Sequence, residues 1–318
     1  ILHHPLRRLT TAVNNLNLNN SHYHDLDVGI TGKNELFVLQ RAFNNMIHKI
    51  NDSMQALEDA NAMLEKKVQD RTKDLNKQNT ELEKAYKKLE DISSVDHLTG
   101  WRNRRYLNDH VPYDTSISIR NYNNWIKGNI DAPPPASDLI FFVIDLDHFK
   151  EVNDQFGHVA GDEVLKQLCN LLKSICRTSD YCVRWGGEEF LIIARFVDRS
   201  SAPLFADRII KLVEGFEFTV NADTSIRRTC SLGFSAFPFC MRSPDTFSWA
   251  ESIVISDKAL YAAKNSGRNT WVGLTCREDI DAMNLHNDIV NHTAEQIKSG
   301  NISVMTSLTD RSQLVWTT

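Results

Sequence analysis

The sequence predicts a layered α/β domain, with helices packed on a sheet, that follows a long helical region. Two observations carry this prediction. Before residue 93 apolar residues recur at helical spacing with few strand signals, and after it short runs of β-forming residues alternate with helical segments. A chain of 318 residues with 42% hydrophobic content has room for one catalytic domain and accessory segments.

The first half of the helical region predicts one short helix and then a break. Leu6, Leu9, Val13 and Leu16 recur at steps of three and four residues, which predicts a short amphipathic helix. The polar stretch 17–33, which contains two glycines, ends it.

The second half predicts a coiled coil, because its seam residues recur in alternating steps of three and four. The seam consists of Leu36, Leu39, Phe43, Met46, Ile50, Met54, Leu57, Asn61, Leu64, Val68, Arg71, Leu75, Gln78, Leu82, Ala85, Leu89 and Ile92. Two consecutive steps of four at Met46–Ile50–Met54 form a stutter that we expect to unwind the coil locally. A single solvated helix is the alternative, but a seam this long has to be buried, which favours a parallel dimer.

The elements after residue 92 follow from periodicity and turn residues. Residues 108–137, which contain three consecutive prolines, predict a loop-rich insertion before the first strand. The tail from residue 276 has weak helical periodicity and suggests no function. Between them the sequence predicts a strand over 139–146, a helix over 161–177, a hairpin, a helix over 203–214, a strand over 228–237, a helix over 249–265 and a strand over 270–274.

Charge and cysteine content limit the classes of function. A net charge of −5, with no basic stripe on a predicted helix, argues against binding to a nucleic acid polymer. The six cysteines form no CxxC pair and no zinc-like spacing, which predicts reduced core thiols in a cytosolic compartment. No apolar run is long enough to span a bilayer, yet the chain begins at Ile1 rather than Met, so we expect a fragment.

A glycine pair followed by two carboxylates is the most informative motif. Gly186 and Gly187 lie between two strand-like runs and predict a two-residue hairpin turn that needs positive φ. A tip without side chains lets a polyanion approach the backbone. Glu188 and Glu189 would repel a triphosphate unless divalent cations lay between them, which is how Mg²⁺ is commonly held. Most Gly-Gly hairpins are only turns, so this motif alone leaves both interpretations open.

Two further carboxylates follow the buried strand. Asp145 and Asp147 lie at its carboxyl end, where α/β domains place ligands. Because side chains alternate between the two faces of a strand, Asp145 and Asp147 share one face. One of them is predicted to face a metal while the other is structural. If the hairpin lies alongside, Asp145 and Glu188 would supply opposite sides of a Mg²⁺ site. A pair of solvated acids is the alternative.

Asn153 and Asp162 carry groups that complement a guanine base. One carboxylate can accept from both N–H donors of guanine, while an amide can meet its acceptors. Asp162 is also predicted in the first turn of a helix, where a carboxylate is favoured without any ligand.

Five motifs, in this order along the chain, together resemble the GGDEF-domain diguanylate cyclases over about residues 93–275. They occupy 96–105, 145–150, 153–162, 184–190 and 259–269. The resemblance implies a fold similar to nucleotidyl cyclases and polymerase palms, with a central sheet that contains antiparallel strands and is flanked by helices. Trp101, where leucine is common, and the insertion at 108–137 depart from the family without touching a proposed ligand.

The resemblance implies an enzyme that joins two GTP molecules into cyclic di-GMP and releases two pyrophosphates. Each domain binds one GTP, so the active form is a homodimer. The implied catalytic residues are Asp145, Lys150, Glu188 and Glu189. Mg²⁺ or Mn²⁺ would be held by Asp145, Glu188, Glu189 and the backbone carbonyl of Leu146. The implied GTP-binding residues are Asn153, His158, Asp162, Gly186, Gly187, Lys264 and Arg268.

A second nucleotide site is implied by Arg177 and Asp180, which match the inhibitory RxxD site of the family. An arginine and a carboxylate at this place can hold cyclic di-GMP through charge-assisted contacts. Arg184 is assigned to the same product site.

The amino-terminal residues 1–53 resemble a HAMP domain, a module that lies just inside a membrane as a dimer. Segment 54–92 is then a coiled-coil signalling helix, 93–275 the cyclase domain and 276–318 an extension of unknown role. The resemblance implies an upstream transmembrane segment in a bacterial inner membrane, with these residues on the cytoplasmic side.

The cyclase domain has two alternative interpretations besides an enzyme that makes cyclic di-GMP. One is a degenerate domain that binds cyclic di-GMP at Arg177 and Asp180 without making it, and the other is a relative that makes cyclic GMP-AMP. Every proposed metal, base and phosphate position is filled, which favours the enzyme. Asp162 disfavours the mixed product.

Overall fold

The computed structural model describes residues 10–11, 35–92, 94–277, 280, 282–289 and 292–316. The chain divides into two compact units, residues 1–86 and 87–318. Most of the predicted first short helix and all of the polar stretch 17–33 lie outside the described residues.

The predicted second helical segment is confirmed as one long helix. Helix α1 runs without interruption over Glu35–Ile92. Seam residues with a described side chain leave large apolar surfaces uncovered in the single chain: Leu57, Leu64, Val68, Leu75 and Leu82 are each 58–66% exposed. An apolar stripe of this length on an otherwise polar helix is what a coiled-coil partner would cover.

The second unit is a mixed sheet with helices on both faces, as predicted. Its helices are α2 (Arg104–Ile126), α3 (Phe149–Phe156), α4 (His158–Lys173), α5 (Ala202–Glu214), α6 (Trp249–Asn265), α7 (Ala282–Asp288) and α8 (Thr293–Lys298). Its strands are β1 (Asp138–Leu146), β2 (Tyr181–Gly186), β3 (Glu189–Val197), β4 (Glu217–Asn221), β5 (Thr224–Arg227), β6 (Cys230–Phe237), β7 (Trp271–Cys276) and β8 (Ile302–Thr306).

Strand β1 lies near the centre of the sheet because both of its edges are paired. The strand order is β2-β3-β1-β6-β7-β8, and a separate hairpin pairs β4 with β5. β1 runs antiparallel to β3 and to β6, β6 pairs with β7 in parallel, and β8 closes on β7 antiparallel. All nine residues of β1 are buried, so its acidic end is carried on a rigid central strand.

Alternate residues of β1 serve two cores. Ile140, Phe142 and Ile144 pack with helices α4 and α5 on one face of the sheet. Phe141 and Val143 pack with α2 and α6 on the other face. A third cluster joins α6 and β7 to the carboxyl-terminal elements α7, β8 and the residues after them.

The predicted loop-rich insertion at residues 108–137 is wrong over most of its length. Helix α2 continues through it to Ile126, with Pro112 inside the helix. Buried polar contacts anchor α2 to the sheet. Asp114 accepts from Arg195 at 2.5 and 2.7 Å, and Tyr122 donates to Asp138 of β1 at 2.6 Å. These polar contacts hold the helix against the sheet, and a pattern of hydrophobic residues does not include them.

The prediction that all six cysteines are reduced is also wrong. Cys240 and Cys276 form a disulfide that ties the segment after β6 to the end of β7. Cys169, Cys176, Cys182 and Cys230 are free thiols. The Cys240–Cys276 bond joins residues 36 positions apart, a separation that carries no local sequence signal.

The tail holds more structure than its weak periodicity predicts. Helices α7 and α8 lead into β8, whose five residues pair with β7 in register from Ile302 opposite Cys276 to Thr306 opposite Val272. None of the helices in the described part of the chain is long and apolar enough to cross a membrane.

Candidate functional site

The glycine hairpin presents acid as predicted, with its turn one residue later than expected. Gly186 still pairs with Glu189 in the β2–β3 ladder, so Gly187 and Glu188 form the turn. Gly187 has φ +48°, whereas Gly186 has no positive φ, which corrects the prediction for that residue. The side chain of Glu188 therefore projects from the turn, and that of Glu189 from the first position of β3.

Arg184 braces this turn. Its guanidinium donates to the Gly187 carbonyl at 3.0 and 2.8 Å and pairs with Asp96 at 3.2 Å. Asp96 in turn accepts from the Thr99 hydroxyl at 2.6 Å. Burial raises the pKa of Asp96, but the hydrogen bonds from Thr99 and the charge of Arg184 outweigh it, so the net pKa lies below its ordinary value. The motif at 96–105 thus supports the tip of the hairpin.

The two carboxylate segments lie side by side. Asp145 at the end of β1 is in register with Glu189 at the start of β3. Lys264 from helix α6 reaches the same place, where its Nζ lies 2.7 Å from an oxygen of Asp145. The prediction that the strand end and the hairpin adjoin is thereby borne out by the strand pairing.

Asp147 is held as a structural residue, which was one of the two roles predicted for this pair. Its carboxylate accepts from the Thr229 and Ser231 hydroxyls, each at 2.7 Å, and from the Asn269 backbone N–H at 3.1 Å. With three donors and 1% exposure, Asp147 fixes the end of β1 against β6 and the loop before β7.

The carboxylates crowd one another. Burial raises the pKa of Asp145, the hydrogen bond from Lys264 opposes this, and Glu188 and Asp147 raise it further. Burial likewise raises the pKa of Glu189, and the charges of Asp145 and Asp257 add to the effect. Both groups are therefore short of compensating positive charge.

Asp257 on α6 is a neighbour of the site that sequence reasoning missed. It lies seven residues before Lys264 on the same helix, and burial raises its pKa while Lys264 and Lys258 lower it. The signal available in the sequence is the spacing of seven residues, which places two side chains on one helix face.

A divalent cation fits this donor set. Asp145, Glu188 and Glu189 carry oxygen ligands of the kind that Mg²⁺ prefers, and their mutual repulsion is what a cation would relieve. In the described residues no group of three or more His, Cys, Asp or Glu side chains is already arranged around a common point. The ammonium of Lys264 supplies positive charge to Asp145.

The predicted base-reading residues lie on adjoining helices. Asn153 belongs to α3 and is half-buried, and Asp162 belongs to α4 and is exposed. The side chain of Asn153 packs directly against the backbone of α4 at Gly161. Only glycine fits there, because a Cβ would lie 2.0 Å from Asn153 Oδ1. Asp162 is the fifth residue of α4, so the prediction that it lies in the first turn of the helix is wrong, and a role at the helix start no longer competes with the predicted role in base recognition.

The remaining predicted GTP ligands present exposed side chains near these elements. Lys150 lies in the first turn of α3 and His158 begins α4. Arg268 has φ +62° in the turn between α6 and β7. All three are exposed.

The RxxD residues form a tight turn between α4 and β2. The Asp180 carboxylate accepts from the Arg177 backbone N–H at 2.8 Å and from that of Arg195 at 3.3 Å. The Arg177 side chain is exposed. Arg184, assigned to the same product site, instead pairs with Asp96 and donates to the Gly187 carbonyl at the hairpin.

A cavity of about 830 Å³ opens beside the carboxylates. Glu189, Asp257 and Lys264 line one part of it, and Glu295 and Trp316 of the carboxyl-terminal extension line another. The extension therefore borders the candidate site.

Comparisons with known proteins agree with the motifs. A family model described as diguanylate cyclase, GGDEF domain, matches residues 93–270, and a HAMP domain model matches residues 1–52. Diguanylate cyclase A of Treponema denticola is 41% identical over 133 residues, covering 41% of this chain and 34% of that protein. Response regulator PleD of Caulobacter vibrioides is 34% identical over 184 residues, covering 58% of this chain and 36% of that protein.

Among solved structures, the coiled coil and GGDEF domain of DgcB from Caulobacter crescentus in complex with c-di-GMP is 25% identical. The alignment covers 61% of this chain and 94% of that chain, with a TM-score of 0.44. The chain spans about a third of the length of the two curated relatives named above.

Proposed function

We propose, for a chain that belongs to the GGDEF family of diguanylate cyclases, that it condenses two GTP molecules into cyclic di-GMP and releases two pyrophosphates. The observation that carries the proposal is the convergence of Asp145, Glu189 and Lys264 at the end of β1, with Glu188 in the adjoining turn. This arrangement joins oxygen ligands for a cation to an ammonium that can bind phosphate.

The GTP-binding roles follow from the chemistry of each group. Asp162 accepts from the N–H donors of guanine, and Asn153 meets its acceptors. His158 begins the helix that carries Asp162. Lys150, Lys264 and Arg268 bind the phosphates, while Gly186 and Gly187 let the triphosphate approach the hairpin backbone.

Mg²⁺, or Mn²⁺, is the proposed cofactor. Asp145, Glu188, Glu189 and the backbone carbonyl of Leu146 would hold it. When bound, the cation neutralises charge on the phosphate oxygens and so favours attack at phosphorus.

In the reaction, the 3′-hydroxyl oxygen of one GTP forms a bond to the α-phosphorus of the other while the bond to pyrophosphate breaks. Repetition of the step in the opposite sense closes the ring. Glu189, whose pKa is raised by burial and by Asp145, is suited to accept the hydroxyl proton. Lys264, which pairs with Asp145, would turn toward the departing phosphates.

Two substrates on two identical domains require a homodimer, and the exposed seam of α1 supports a parallel coiled coil as its connection. The HAMP match supports a location at a bacterial inner membrane, with these residues on the cytoplasmic side. Cyclic di-GMP would inhibit from the Arg177–Asp180 turn. The filled metal, base and phosphate positions favour this activity over a receptor that only binds the product.

The deciding experiment is incubation of the protein with GTP and Mg²⁺, followed by chromatography of the nucleotides. The parent protein is expected to make cyclic di-GMP, and Glu188→Gln to lower the rate by at least about a hundredfold. Glu217→Gln is the matched control, because Glu217 pairs with Arg227 on an exposed hairpin away from the site. Near-normal turnover by Glu188→Gln would exclude the metal assignment.

A further inference from the structure

The carboxyl-terminal extension forms one wall of the cavity beside the candidate site. The opposite wall carries Glu189 and Lys264, and the extension contributes residues 292–295, Val315 and Trp316. The volume of about 830 Å³ lies within the range of roughly 300–1,000 Å³ that is usual for ligand pockets. Because Glu189 is the proposed proton acceptor, a group that enters this cavity lies next to the residue that activates the attacking oxygen.

Hydrogen-bonding contacts fasten the extension to both ends of helix α6, which carries Lys264. Near the start of the helix, His286 of α7 pairs with Glu251 at 2.7 Å. Just after its end, the Ser266 hydroxyl oxygen accepts from the Val315 backbone N–H at 2.9 Å. The extension wall is therefore fixed to the same helix that supplies the phosphate-binding lysine.

Apolar packing holds the wall between these two points. Leu285 and Ile289 of the extension are each 2% exposed and belong to one buried cluster with Ala259 and Ala262 of α6. Trp316 is half-buried and packs against the same cluster while it borders the cavity. The indole is thus a part of the wall that its neighbours hold in place.

In the proposed reaction, water competes with a hydroxyl group for the same phosphorus atom. Synthesis needs the 3′-hydroxyl of the second GTP, but a water molecule beside Glu189 could attack the α-phosphorus instead. The water oxygen would then form a bond to phosphorus, the bond to pyrophosphate would break, and Glu189 would accept the water proton. The product of that side reaction is GMP. Enzymes suppress side reactions of this kind when they exclude water from the site.

We propose that the cavity takes the ribose of the second GTP, and that Trp316 determines the preference for its hydroxyl over water. The base of that GTP stays with the partner copy, so that only the sugar enters between Glu189 and the extension wall. The indole closes the side from which water would enter. A ribose carries both C–H groups and hydroxyls, which suits a cavity lined by apolar and by charged side chains. The inference rests on the proposed function, because it concerns which oxygen attacks in that reaction.

The test is the ratio of the two products. The full chain is incubated with GTP and Mg²⁺, and GMP and cyclic di-GMP are separated by chromatography and quantified, with background hydrolysis measured on Glu188→Gln. Trp316→Ala opens the wall and should raise the ratio of GMP to cyclic di-GMP by at least about tenfold. Trp316→Phe keeps a ring in the wall and should stay within about twofold of the parent. Since both products come from the same folded molecules, a partly unfolded sample lowers both and leaves the ratio unchanged.

Met283→Ala is the matched control. Met283 lies in the same extension, is 65% exposed and is not among the residues that line the cavity, so its variant should give the ratio of the parent. An unchanged ratio in Trp316→Ala would overturn the role of the wall while the proposed synthesis stands. An equal rise in both variants would also overturn the role of Trp316, because it would show a general loosening of the extension. If the parent releases no pyrophosphate from GTP, the proposed function fails and this inference fails with it.

Discussion

At the scale of single residues, the carboxylates at the end of β1 destabilise the folded protein and are suited to bind a cation. Asp145 and Glu189 are adjacent carboxylates whose pKa values are both raised by burial. Glu188 and Asp147 raise the pKa of Asp145 further, and Asp145 raises that of Glu189. Lys264 compensates only in part. A site that is short of positive charge in the free protein is prepared to receive a cation and disfavours the native state until one arrives.

Glu189→Gln is therefore expected to stabilise the protein while it abolishes synthesis. A raised native pKa means that the folded state holds its proton more tightly, so stability falls as pH rises from the ordinary value of 4.5 through the raised one. The substitution removes this loss, with a rise in melting temperature of roughly 1–3 °C at pH 7 after allowance for solvent screening. Thermal melts without divalent metal at pH 7 and pH 4 measure it, and an equal gain at both pH values would contradict the explanation.

Arg177→Ala should relieve product inhibition without changing the initial rate of synthesis. The guanidinium is exposed beside the Asp180 turn and lies in a different segment from the carboxylates of the hairpin. Loss of its contacts to phosphate should raise the cyclic di-GMP concentration for half-inhibition by at least about tenfold. Initial rates with added cyclic di-GMP provide the measurement. Equal inhibition of variant and parent would remove the RxxD assignment.

The sequence could predict the residues of the site better than their partners. Gly187, Asp145 and Asp147 carry local signals, namely a glycine turn and acids that end a buried strand. The contacts of Arg184 with Asp96 and of Lys264 with Asp145 join positions 88 and 119 residues apart. Such pairings depend on the order of strands in the sheet, which spacing along the chain does not encode.

At the scale of elements, helix α2 was missed in the sequence because part of its buried face is polar. Its buried face includes Leu107 and Val111 but continues with Asp114, Ser118 and Tyr122. The spacing is helical, yet a pattern that counts only apolar residues ends at Val111. Each buried polar group has a partner, as in the bond from Tyr122 to Asp138 at 2.6 Å.

Asp114→Asn should destabilise the cyclase unit by about 3 kcal/mol, because it leaves the Arg195 guanidinium facing a neutral partner in a site where Asp114 is 1% exposed. Glu217→Gln removes a carboxylate from an exposed pair with Arg227 and should change the free energy of unfolding by less than about 0.5 kcal/mol. Urea unfolding of both variants compares them. Similar small losses would show that Asp114 does not anchor the helix.

At the scale of the whole molecule, the proposed synthesis depends on two copies of the chain. Periodicity predicted the helix that would connect them, and α1 confirms its continuity over Glu35–Ile92. The alternation of strands and helices likewise predicted the sheet. The pairing of β8 with β7 could not be predicted, since the tail has little apolar periodicity and owes its strand to the sheet edge beside it.

The double variant Leu64→Lys/Leu75→Lys should dissociate the dimer and lower synthesis by at least about tenfold, because charged residues at two seam positions cannot be buried. Met63→Lys/Asn76→Lys adds the same charge next to these positions but off the seam. Light scattering should give about 36.3 kDa for the first variant and twice that mass for the second. A seam variant that keeps the doubled mass would show that α1 does not hold the two copies together.

Strand β8 also determines where this protein can be shortened. The GGDEF family match ends at residue 270 and β7 ends at Cys276. A version cut after Cys276 would leave the backbone amides and carbonyls along one side of β7 without their partners. A version cut after residue 270 would remove β7 as well and uncover β6, with which β7 pairs. An uncovered strand of either kind invites intermolecular pairing. Clean expression of the catalytic unit by itself should therefore need the chain through Thr306.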